Sequence, residues 1–72
     1  MKISDETTAK AAIDVWQSKD RKEQLRNILM EIESLELNKM YYENRENKKG
    51  IIRSEEAIVV LIQRKEEVES GL

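Results

Sequence analysis

Ala57-Ile58-Val59-Val60-Leu61-Ile62 is the longest apolar run in a chain of 72 residues. Such a run suits either buried helix or a core strand, and its β-branched Ile and Val lean toward the strand. Its flanks lean the other way. Ser54 stands where a helix cap would sit, Glu55 and Glu56 follow as an acidic first turn, and residues 63–69 continue without a turn signal until Gly71. No other segment reads as a partner strand. The expectation is a helix over about 55–69, with Leu72 folding back beyond Gly71 and a strand over 57–62 as the alternative. As a helix, residues 57–62 are apolar around the full circumference and ask for burial on all sides.

Upstream of this run the chain carries two more helical patterns. Asp20 with Glu23 has the spacing of a helix cap and its third residue. Leu25, Ile28, Leu29, Ile32, Leu35 and Tyr42 then form one apolar stripe, which predicts a long helix over about 21–47. Gly50 reads as its stop, since glycine takes the left-handed conformation without side-chain cost. The three asparagines in and near the 43–50 stretch suggest fraying there. At about 100° per residue a second apolar line appears: Met30, Leu37 and Tyr41, with small Ser34 between, lie well away from the Leu25 stripe. A helix over about 5–17 precedes it, opened by Ser4 as cap with Asp5 and Glu6 in the first turn. Ala9, Ala12, Ile13 and Trp16 share one of its faces, with Trp16 as the main anchor.

Composition supports this all-α reading and removes most chemistry. There is no Pro, and Gly50 and Gly71 are the only glycines, so the turns of a sandwich or barrel are missing. With no His and no Cys, the ordinary zinc sites, the imidazole base and the thiolate nucleophile are gone. Glu33/Glu36, Glu43/Glu46 and Glu66/Glu69 are paired at helical spacing but have no histidine ligand to join, and they read as solvated acids. The chain is read as no enzyme, with no cofactor and no metal. Thirteen basic residues against 15 acidic ones, evenly spread, give no field for a polyanion. Neither an apolar signal core nor a membrane-spanning run is visible, and a cytoplasmic location is the default expectation.

Length then turns the argument toward partners. A domain of this size buries little apolar surface, and neither a disulfide nor a metal is at hand as a staple. Self-association is the remaining device. The expected form is a homodimer, antiparallel, of helical hairpins or small three-helix bundles, with Met30, Leu37, Tyr41, Val59 and Val60 as its contact residues. A second candidate surface is Lys48, Lys49, Ile51, Ile52 and Arg53, two apolar teeth framed by cations, suited to an acidic groove on a partner protein. The function expected is a protein–protein interaction module acting as assembly or scaffolding factor, adaptor or inhibitor. In architecture such a long-helix dimer is similar to the small internal scaffolding proteins of tailed phages and their satellites. That resemblance implies paired long helices as a spacer and one chain end as the docking point. The alternative is a small nucleic-acid-binding regulator, which the acids interleaved with each basic cluster disfavour.

Overall fold

The computed structural model describes residues 2–71, and Leu72, expected to fold back, lies outside them. Three helices follow one another: α1 (Glu6–Trp16), α2 (Arg21–Asn44) and α3 (Lys48–Glu69). Residues 57–62 are helical, and no strand occurs among the described residues. The strand alternative therefore falls. The β-branched residues are carried by a helix already nucleated two turns upstream, with no second strand to pair with.

Local chemistry starts each helix. Asp5, not Ser4, caps α1: its carboxylate accepts the Thr8 N–H at 2.8 Å, while the Thr8 hydroxyl accepts the Asp5 N–H at 3.0 Å. The Thr8 backbone bond first, and the Thr8 hydroxyl second, hold the Asp5 carboxyl below the usual carboxylate range. Asp20 caps α2 as expected, accepting the Glu23 N–H at 2.8 Å. The start of α3 differs from expectation. Asn47 is the cap, accepting the Gly50 N–H at 3.0 Å, so the helix begins at Lys48 and not at 55. Ser54, Glu55 and Glu56 are interior helix positions, and Ser54 is buried. α2 ends at Asn44, three residues short of the expected limit, in a tight turn whose left-handed position is taken by Glu46 at φ 54°.

Gly50 consequently does a different job from the one its type suggested. It lies within α3, buried, with the Tyr42 ring of α2 laid across it: a Cβ there would stand 2.5 Å from Tyr42 Cγ and Cδ1. Glycine is needed for close approach rather than for a turn. An Ala in place of Gly within an open helix gains up to about 1 kcal/mol. Gly50→Ala is instead expected to lose about 1–3 kcal/mol from overpacking, read as a lower urea midpoint. A raised midpoint would mean that Tyr42 moves aside freely.

Pairings along the hairpin run in opposite directions on the two helices. Tyr42 meets Gly50, Lys39 reaches Glu55 at 3.5 Å, the Arg64 guanidinium donates to Gln24 Oε1 at 3.0 Å, and Arg21 donates to the Glu69 carbonyl. α2 and α3 are thus antiparallel, as a three-residue connection requires. α1 packs chiefly on α3, which is the central helix of an up-down-up bundle. Gln24 is a buried polar tie, since its amide also donates to the Lys19 carbonyl at 2.9 Å, joining the α1–α2 turn to α3 through Arg64.

The core is narrow because small residues line it. Gly50, Ser54 and Ala57, with Leu61, follow one another along α3 at i, i+4, i+7 and i+11, and Ala9 with Ala12 form the buried face of α1. Helices meeting over such rows approach closely, and the Cα trace measures 38 × 17 × 17 Å. Ile3, Ile28, Leu35, Ile58, Leu61 and Val68 supply the larger buried side chains. Trp16 is only half-buried against them, so the α1 contact rests on its two alanines as much as on the expected aromatic anchor. Leu29, expected in the core stripe, is exposed, while Leu25, Ile32 and Tyr42 are half-buried. Full burial of 57–62 is not achieved either. Ala57, Ile58 and Leu61 face inward, whereas Val59 and Ile62 face outward, because α3 has neighbours on two sides only.

Candidate self-association surface

α2 is 24 residues long, about 36 Å at 1.5 Å per residue, and contains no glycine or proline to bend it. Its inner face is set by Gln24, Ile28 and Leu35, the last two only 0% and 1% exposed. Met30, Ser34, Leu37 and Tyr41 follow at i, i+4, i+7 and i+11, the spacing of a coiled-coil seam. At about 100° per residue this seam points away from Ile28 and Leu35, so a helix buried along one side presents a second apolar line on the other. Met30 and Leu37 are each 61% exposed and Tyr41 53%. Glu33 joins Met30, Ser34 and Leu37 in lining a shallow groove along the helix.

Tyr41 is held in place at the far end of this line. Its ring meets the Tyr42 ring edge-to-face at 5.8 Å, and the Arg45 guanidinium lies 4.6 Å over its centre. An aromatic fixed before any partner arrives loses little freedom on binding, which is the property of an interface anchor.

The five residues expected to make one contact surface are not brought together. Val59 and Val60 belong to a separate groove between α1 and α3, lined also by Glu6, Lys10, Glu55, Glu56 and Gln63. Val60 is half-buried against the core there, so it is mostly spent on the chain's own packing. Val59 is exposed but ringed by charge. Two residues that the pattern reading left out add to the α2 surface: Leu29, assigned to the core, and Met40, not assigned. Met40 was findable, three residues beyond Leu37 and one turn before the end of the helix. Leu29 lies on the outer margin of the Leu25 stripe, and periodicity alone could not say on which side of the core edge it falls.

The second candidate surface is also reshaped. Lys48, Lys49, Ile51, Ile52 and Arg53 are the first turns of α3 rather than a loop. Ile52 stands out as one exposed tooth, while Ile51 is half-buried beside it. Lys48, Lys49 and Arg53 are exposed at the positive end of the helix dipole, close in sequence to exposed Arg45. This makes the turn end of the hairpin a small basic surface, interrupted by Glu46.

No helix among the described residues is long and apolar enough to cross a membrane. Compared with protein-family models, curated protein sequences and solved structures, the chain shows no significant match.

Proposed function

We propose that this chain is a non-enzymatic helical interaction module that works as a homodimer and docks on another protein as an assembly or scaffolding factor, adaptor or inhibitor. The observation that carries this reading is the outer face of α2. Met30, Leu37 and Tyr41 are all more than half exposed on a rigid helix whose opposite side is already buried. Monomeric proteins scatter exposed apolar side chains singly, and a contiguous row marks an interaction surface. The basic end formed by Arg45, Lys48, Lys49 and Arg53, with Ile52 among them, suits an acidic groove on the second protein. The reading includes no catalytic residue, cofactor or metal.

Sedimentation velocity from about 1 to 100 μM tests the first half, with a dimer expected to form across that range. A chain that stays single throughout would end the reading.

One observation favours a second function. The same basic end sits on a helix N-terminus, where a nucleic-acid phosphate would find both charge and free N–H groups. Titration with duplex DNA at about 50 and 200 mM salt separates the two. The interaction module is expected to show no binding at either concentration. Binding that falls steeply with salt would favour the regulator.

A further inference from the structure

From the α2 face we infer that two copies pair antiparallel along their α2 helices, Met30 of each against Tyr41 of the other and Leu37 of each against Ser34 of the other. This rests on the homodimer reading and specifies its contact. Complementarity of size selects the direction. A two-fold axis crossing α2 at the level of Leu35 and Glu36 sets the long Leu37 side chain over the small Ser34 of the second copy, twice. It also sets each Met30 thioether on a Tyr41 ring, a favourable pairing of sulfur and aromatic. Parallel pairing would instead stack Ser34 on Ser34 and leave a gap in the middle of the seam.

Polar residues agree with this register. Asn27 and Asn44, one seam step beyond Met30 and Tyr41, come opposite each other, and amide pairs at seam positions fix alignment.

The area is in the range a specific pair needs. Met30, Leu37, Met40 and Tyr41 are each more than half exposed, and at roughly 100 Å² apiece they offer about 400 Å² per copy. A folded monomer of 8.5 kDa is expected to expose about 4,700 Å², and this chain exposes 5097 Å², a surplus of the same order. Two copies hiding these residues, with the polar rim of Arg26, Glu33 and Asn44, reach the roughly 1,000 Å² of a specific interface. The α1–α3 groove around Val59 offers less, being ringed by Glu6, Lys10, Glu55 and Glu56.

The chain has no cysteine of its own, so introduced thiols report without background. Full-length Met30→Cys and Tyr41→Cys chains, both at exposed positions, are oxidised separately and as an equimolar mixture, then resolved without reductant. The unmodified chain is sedimented alongside. The mixture is expected to form covalent dimer at several times the yield of either variant alone, because disulfides need Cα atoms within about 7 Å. Variants that each crosslink to themselves as well as the mixture does would overturn the antiparallel direction. A dimeric native chain whose mixture does not crosslink would overturn the α2 contact while leaving the homodimer standing, and self-crosslinking of Val59→Cys would then place it on α3. A native chain that sediments as a monomer would remove both.

Discussion

Ile28→Asp is expected to leave the chain unfolded at 25 °C. Ile28 is fully buried on the inner face of α2, in a cluster made with Leu35, Ala57, Ile58 and Leu61. The substitution removes a large apolar side chain, worth about 2–5 kcal/mol at such sites. It also places a carboxylate among apolar neighbours, which costs several kcal/mol more, or forces protonation at similar expense. A domain of 72 residues has about 4–11 kcal/mol of stability to lose. The two losses together take most or all of it, and the helical circular dichroism signal should collapse. Met30→Asp, on the opposite side of the same helix, is the control and should keep its helix content. A cooperative, fully helical Ile28→Asp chain would mean that the inner face is not where the core lies. Ile32 would be a weaker probe, because it is only half-buried and a charge there can reach water.

Leu37→Glu is expected to separate association from folding. At 61% exposure Leu37 contributes little to its own chain's core, so the variant should remain helical, its urea midpoint falling only by the stabilisation that the dimer had added. Across the proposed contact, however, it would put a charge against Ser34 of the second copy and beside its Glu33. It would do so twice, because the two-fold axis repeats every change. Losing two central apolar contacts and gaining two desolvated acids amounts to at least about 3 kcal/mol, a shift of roughly 100-fold or more in the dimer dissociation constant. Sedimentation across a concentration series reads this directly. An unchanged dimer with Leu37→Glu would place the contact elsewhere, whereas Val59→Glu is expected to leave the mass unaltered.

Both substitutions act on one helix, and their contrast explains how much could be read beforehand. The sequence by itself determined what depends on neighbours within four residues: the all-α class, three helices, the Asp20 cap, and two apolar lines on α2 at separate angles. These follow from 3.6-residue periodicity and from side chains reaching backbone N–H groups one turn away. Only the tertiary structure decided which apolar line is covered, because Ile28 and Met30 are alike as hydrophobes and differ only in whether another helix lies against them. It also decided the role of Gly50, since a glycine that permits a turn and one that permits contact with the Tyr42 ring are the same residue. With Gly50 absorbed into α3, the helix start moved back to Asn47 and Ser54 passed from expected cap to buried contact. The cause in each case is that packing joins residues distant in the chain, and no local pattern encodes how closely two helices will approach.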